Sequence, residues 1–247
     1  MRDNQSVVLG VDGLSPQDVS EFDRPDDWEE LQIETVAHTC PSWNAIFRGR
    51  ELDGVYDFFK TPEEYEAGDS LPDQSDSMYE YDGLSPDELV WEKYDVDVVS
   101  APVVLPTFST LDEPPENSLT WPSSREEVMP SIEKLTKMTL EHETVITVLP
   151  FPDKIHHMTS PDSTATYTAI DRDQHMNELF RAVEKIIDEF DEWLVLSDHG
   201  RPTEAESVLD GLQVPSHQKT GVAKSNVADV SGQTNVTIHD AVVEVIS

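Results

Sequence analysis

The apolar run Leu194-Val195-Leu196 stops abruptly at Ser197-Asp198-His199-Gly200. A buried strand ending this way sets a carboxylate and an imidazole on the turn at its carboxyl end, where open α/β sheets bind ligands. A hard oxygen beside a borderline nitrogen suits zinc or manganese. Taken alone, the pair reads equally well as a capping aspartate and an ordinary turn histidine. Two more strand-like runs end in similar chemistry. Val7-Val8-Leu9-Gly10-Val11 runs into Asp12-Gly13, and the run from Thr144 to Leu149 is followed by Asp153 and, four residues on, His157. His156 stands directly beside His157. His217, in Ser216-His217-Gln218, adds a third imidazole. Three carboxylates and three imidazoles on one edge of a parallel sheet match two divalent ions bridged by a substrate.

Thr39, in Thr39-Cys40-Pro41-Ser42-Trp43, stands just before a helix expected over Pro41 to Arg48, with Gly49 as its terminator. A threonine there is commonly a cap. The same place also sets its hydroxyl beside a helix amino end, where N–H groups and the dipole favour a phosphate. A threonine hydroxyl attacks well only when its pKa is lowered, and metal coordination does this without a neighbouring base. The inventory therefore points to in-line displacement at phosphorus with Thr39 as nucleophile. Asn44 and Lys154 are the candidates for phosphate contacts, and His38 for a leaving-group contact.

The elements that must position these residues alternate in type. Besides the three runs above, Val96 to Val99 reads as a strand. Helices are expected at Pro86 to Tyr94, around Ile132, Leu135 and Met138, and at Arg172 to Phe190. The last has one apolar stripe of Met176, Leu179, Phe180, Val183, Ile186, Ile187 and Phe190. Ser124 and Glu127 resemble a capping box, and Pro130 predicts a break or a fresh helix start just beyond it. Residues 60–88 read as an acidic surface excursion, and Pro102 to Pro122 as a Pro-rich connection. Asp-Gly-Leu-Ser-Pro occurs at 12–16 and again at 82–86, where it follows no apolar strand and reads as a turn and helix start. The expected class is α/β: one domain over 1–247, with a mostly parallel central sheet covered by helices on both faces.

Fifty-one acidic against 16 basic residues give a net charge of −35. Such a surface excludes nucleic acid polymers and anionic membranes as natural partners. The 37% hydrophobic content and the clear apolar runs argue against disorder. A halophilic cytoplasm accounts for the charge, because salt near 1 M screens self-repulsion within about 3 Å. Cys40 is the single cysteine, so no internal disulfide forms and a reducing compartment is expected. No signal-peptide pattern opens the chain and no apolar stretch approaches the ~18 residues of a membrane span, so a cytoplasmic location is expected.

Taken in order, these motifs resemble the alkaline phosphatase superfamily, specifically its type I phosphodiesterase/nucleotide pyrophosphatase branch. The resemblance rests on Val11-Asp12-Gly13, Thr39-Cys40-Pro41-Ser42-Trp43, Gly54-Val55-Tyr56-Asp57-Phe58, Val98-Val99-Ser100-Ala101-Pro102, Asp153 with His157, Ser197-Asp198-His199-Gly200 and His217. It implies an alkaline phosphatase-like fold, here compact and lacking a large cap. It implies that Asp12, Thr39, Asp198 and His199 surround one metal ion while Asp153, His157 and His217 hold another, usually Zn2+ and sometimes Mn2+. It further implies hydrolysis of a small phosphorylated substrate through a phosphothreonine at Thr39. A degenerate member that binds metal or nucleotide without turnover is the alternative. A sulfatase is a minor one, because the Cys-x-Pro-x-Arg context of sulfatases fails here: Pro41 directly follows Cys40, and Asn44 holds the Arg position.

Overall fold

The computed structural model describes residues 5–22, 24, 27–35, 37, 39–50, 86–102, 125–159, 171–209 and 212–247. Strand β1 (Ser6–Val11) is buried along its whole length. It has a parallel neighbour on each side. β4 (Thr144–Leu149) pairs Leu9 with Thr147 and Val11 with Leu149, and β5 (Glu192–Leu196) pairs Leu9 with Val195 and Gly10 with Leu196. A strand enclosed in this way must be apolar on both faces, and its sequence is one continuous apolar run. Outside β4 lies β3 (Asp97–Ser100), also parallel. Outside β5 lies β8 (Thr220–Ser225), which is antiparallel, and then β2 (Glu29–Gln32), antiparallel to β8. The sheet order is β2-β8-β5-β1-β4-β3. A separate hairpin pairs β6 (Pro202–Leu209) with β7 (Leu212–His217).

Side-chain alternation divides the core between the two faces of the sheet. Val7, Leu9, Val11, Val145, Leu149 and Val195 pack with α4 (Arg125–Thr139) and α6 (Arg172–Glu189). Val8, Ile146, Val148, Leu194 and Leu196 pack with α2 (Thr39–Arg48) and α7 (His239–Ile246). The amphipathic stripe of α6 buries Met176, Leu179, Val183 and Ile186, and Asp171 caps it by accepting from the Gln174 N–H at 3.1 Å. Shorter helices complete the fold: α1 (Pro16–Glu21), α3 (Val90–Lys93) and α5 (Asp153–Thr159). The expected α/β class, a mostly parallel sheet with helices on both faces, is the observed one. No helix among the described residues is long and apolar enough to cross a membrane.

Several expectations shift. Helix α2 begins at Thr39 rather than Pro41, so Thr39 is its first residue. The helix expected over Pro86 to Tyr94 divides into a 3-10 turn at Pro86–Glu88 and α3. Neither a break nor a fresh helix start occurs at Pro130: α4 begins at Arg125 and runs through it. The ring of Pro130 conflicts only with the carbonyl of Glu126 in the helix's first turn, while Val128 and Ile132 on either side are buried in the core. Elements α1, β2, α5, β6, β7, β8 and α7 have no counterpart among the expected elements. The proposed Ser124 capping residue, the second Asp-Gly-Leu-Ser-Pro copy, His38, the Pro-rich connection after Pro102 and nearly all of the 60–88 excursion lie outside the described residues.

Gly10 lets α2 approach β1 closely. A Cβ built there would stand 2.5 Å from the Trp43 ring and 2.8 Å from Val148 Cγ2. This contact seats the first turns of α2 near the carboxyl end of β1. Gly10→Ala is expected to destabilise the fold by about 1–3 kcal/mol through overpacking; the shift in urea midpoint at unchanged m-value measures it.

Candidate metal centre

The three strands that end in candidate ligands are adjacent, in the order β5-β1-β4. Being parallel, they deliver Asp198 and His199, Asp12, and Asp153 to one edge. β8 is antiparallel, so its amino end lies at that same edge, and His217 arrives there just before the strand begins. Backbone bonds lock the turns together. Asp12 N–H donates to the Leu149 carbonyl at 2.9 Å, Asp153 N–H to the Asp12 carbonyl at 2.8 Å, and Gly13 N–H to Asp198 Oδ1 at 3.2 Å. Gly13 has φ +76°, and a Cβ there would meet Asp153 Cβ at 2.7 Å. Only glycine satisfies both demands, which explains the Asp-Gly sequence.

Two groups of ligand atoms converge, each within 4.8 Å: Asp12, Asp198 and His199 in one, Asp153, His199 and His217 in the other. All five residues are buried. His199 Nδ1 lies 2.9 Å from the Gly200 carbonyl, which can only accept, so Nδ1 carries the proton and Nε2 offers a lone pair. Nε2 stands 3.3 Å from Asp12 Oδ1, 3.3 Å from Asp198 Oδ2 and 3.4 Å from Thr39 Oγ1. In the second group, His217 Nε2 lies 3.1 Å from Asp153 Oδ1, and the His199 and His217 rings are 4.1 Å apart. The Gly200–Gln218 and Gln218–Arg201 backbone bonds bring the two histidines together.

The first group fits a divalent cation. Asp12 Oδ1 and Oδ2 and Asp198 Oδ2 are sealed from solvent with no hydrogen-bond donor at normal geometry. Burial pushes Asp12 well above the ordinary carboxylate range, and the Asp198 and Asp153 charges add to the shift. Asp198 is raised as well, chiefly by burial. Lone-pair atoms facing one another in a dry pocket are costly unless a cation lies between them. Ligands about 2.0–2.1 Å from a tetrahedral zinc stand roughly 3.3–3.4 Å apart, which is the spacing around His199 Nε2.

Thr39 is buried at the first position of α2, whose opening N–H groups have no intrahelical acceptor. His157 lies on α5, but its side chain, like that of Cys40, is outside the described residues. His156 turns instead to Asp18, with Nε2 3.2 Å from Oδ2. Of the phosphate candidates, Asn44 is fully buried with its Oδ1 accepting from Arg48 Nε at 2.9 Å, and Lys154 is half-buried on α5.

Asp18 itself went unnoticed in the sequence. It is fully buried, and together with Glu21 it receives Arg172 and Arg201. Burial alone would raise its pKa, yet His156, Arg201 and Ser15 hold it below the ordinary carboxylate range. Glu21 is held down to about 2, first by its hydrogen bond from Arg201 and then by Arg172. The one available signal was Ser15-Pro16-Gln17-Asp18, a capping-box pattern, which the structure realises.

No protein-family model matches the chain, and no curated protein does. Solved structures do. The PH0037 protein from Pyrococcus horikoshii shares 12% identity over 100% of this chain and 98% of its own, with a TM-score of 0.51. Murine ectonucleotide pyrophosphatase/phosphodiesterase 5 shares 15% identity over 79% of this chain, with a TM-score of 0.47; the match spans 57% of that protein's length. A protein in the alkaline phosphatase superfamily from Vibrio parahaemolyticus shares 11% identity over 99% of this chain and 66% of its own, with a TM-score of 0.46. At these identities the likeness is one of fold.

Two outcomes are expected. Asp12→Asn removes a buried like charge, so it should raise the melting temperature in chelator. It should also abolish the metal-dependent rise, worth about 2.7 kcal/mol for the wild type at metal 100-fold above Kd; thermal melts with and without Zn2+ measure both. The second concerns Glu21, whose pKa is about 2 folded against 4.5 unperturbed. A depressed carboxylate stabilises above its unfolded pKa and ceases to as pH falls through its folded one. The stability gap between wild type and Glu21→Gln should be full above pH 4.5 and gone by about pH 2, as followed by denaturation across that range.

Proposed function

We propose that this protein is a two-metal phosphoric ester hydrolase of the phosphodiesterase/nucleotide pyrophosphatase or phosphatase type, with residues 1–247 acting as a single domain on a small phosphorylated substrate. The observation that carries the reading is the cluster of Asp12, Asp198 and His199 at cation-ligand spacing with the Thr39 hydroxyl 3.4 Å from His199 Nε2. Asp12, Thr39, Asp198 and His199 would hold one ion, and Asp153, His157 and His217 the other, with Zn2+ preferred and Mn2+ next. When bound, such ions supply Lewis acidity and make a hydroxyl nucleophilic at neutral pH.

The chain's own residues do the rest. The opening N–H groups of α2 receive non-bridging phosphate oxygens. Thr39 Oγ1 attacks phosphorus, forming the Oγ1–P bond as the bond to the leaving oxygen breaks and the hydroxyl proton passes to that oxygen; water then attacks phosphorus, releasing phosphate and returning a proton to Thr39 Oγ1. The Gly13 N–H to Asp198 carboxylate bond and the Asp153 N–H to Asp12 carbonyl bond hold these groups without further reorganisation, which is where most of the rate advantage of such sites originates.

Thr39→Ala is expected to abolish turnover of nitrophenyl phosphate mono- and diesters while metal content stays near two ions per chain, as measured by elemental analysis. Undiminished turnover overturns the nucleophile. Metal uptake with no hydrolysis by the wild type across the ester panel favours a non-catalytic member, and a preference for sulfate esters favours the sulfatase branch.

A further inference from the structure

We propose that Asp18 is a positioning residue for the metal centre: one buried carboxylate that joins three of the segments bearing the candidate ligands and holds them in mutual register. The inference rests on the metal-centre reading above. Asp18 Oδ1 accepts from Arg201 Nε at 2.9 Å, Arg201 Nη2 at 2.6 Å and Arg172 Nη2 at 3.0 Å. Its Oδ2 accepts from the Ser15 backbone at 3.1 Å, the Ser15 hydroxyl at 2.6 Å and His156 Nε2 at 3.2 Å. Six donors fill the lone-pair sites of a single carboxylate.

The origins of those donors make the arrangement more than a cap. Ser15 follows Asp12 and Gly13 at the end of β1. His156 lies on α5, between Asp153 and His157. Arg201 leaves the turn that carries Asp198 and His199. Capping the six-residue α1 requires Ser15 and Asp18 alone, and it needs neither two guanidiniums nor a histidine from segments distant in sequence. Arg172 is the exception among the partners, since α6 carries no candidate ligand. It nevertheless touches the same two carboxylates as Arg201, Asp18 and Glu21. The chain thus contains its own control. If the cluster only adds stability, removing either arginine has one kind of effect; if it positions ligands, only Arg201 matters to the metal.

The test compares Asp18→Asn, Arg201→Met and Arg172→Met in the full chain. Zn2+ and Mn2+ affinities are read by competition with a chromophoric chelator at a temperature where circular dichroism shows each variant folded. Asp18→Asn and Arg201→Met are expected to weaken binding by about 10–100-fold, as loss of an outer partner does at other metal sites. Arg172→Met is expected to melt earlier yet bind as the wild type does, and Arg201→Lys to recover part of the affinity. Should Asp18→Asn fail to fold, the arginine pair still decides. Equal affinity for Arg201→Met and Arg172→Met overturns the positioning role while the metal centre stands. A wild-type chain that takes up neither ion overturns the functional reading and this inference together.

Discussion

Carboxylates gathered in a dry pocket repel one another, and the rest of this structure is organised around holding Asp12, Asp153 and Asp198 together in spite of that. The sheet supplies the means. Three parallel strands, each buried enough to be immovable, end side by side, and the backbone hydrogen bonds between their turns leave the carboxylates no room to separate. Apolar burial of β1, β4 and β5 on both faces is thus the stabilising term that offsets the electrostatic cost at their ends. A site of this kind exchanges folding free energy for a concentrated negative potential, the condition under which a multivalent cation would be favoured there.

The positive side of the charge ledger follows the same logic. In a chain with 16 basic residues against 51 acidic ones, several of the described arginines are committed to carboxylates within the fold. Arg48 is buried and paired with Glu88, and Arg24 is paired with Glu184. Arg172 and Arg201 are committed to Asp18 and Glu21. Cationic charge that could attract an anionic ligand is therefore scarce among the described side chains near the strand ends.

What the sequence revealed follows from how locally each feature is encoded. A strand buried on both faces must be apolar at every position, so β1, β4 and β5 are visible as runs, and the ligands at their ends are visible as abrupt polar stops. Helix α6 is legible because a single stripe repeats over five turns. β2 carries Glu29, Glu30 and Gln32 at exposed positions around a single buried Leu31, and β8 is Thr-Gly-Val-Ala-Lys-Ser; neither has a pattern that separates it from a loop. Asp18 was illegible for a different reason. Its partners His156, Arg172 and Arg201 lie more than a hundred residues away, and no spacing rule links them. Thr39 could be singled out by type and context, but its distance from His199 was a product of topology alone.

The antiparallel course of β8 carries a consequence for the order of events during folding. His217 reaches the site because β8 enters the sheet from the ligand edge, after every other ligand-bearing strand has been synthesised. The edge that carries the candidate ligands is therefore closed by a segment that follows β1, β4 and β5 in the chain and pairs with β2, far earlier in the sequence. Contacts of such long separation are late and slow in folding. A partly folded chain can hold a well-packed β1, β4 and β5 and still lack His217 at the candidate centre, so a complete ligand set requires that the whole sheet, and not only its core, has assembled.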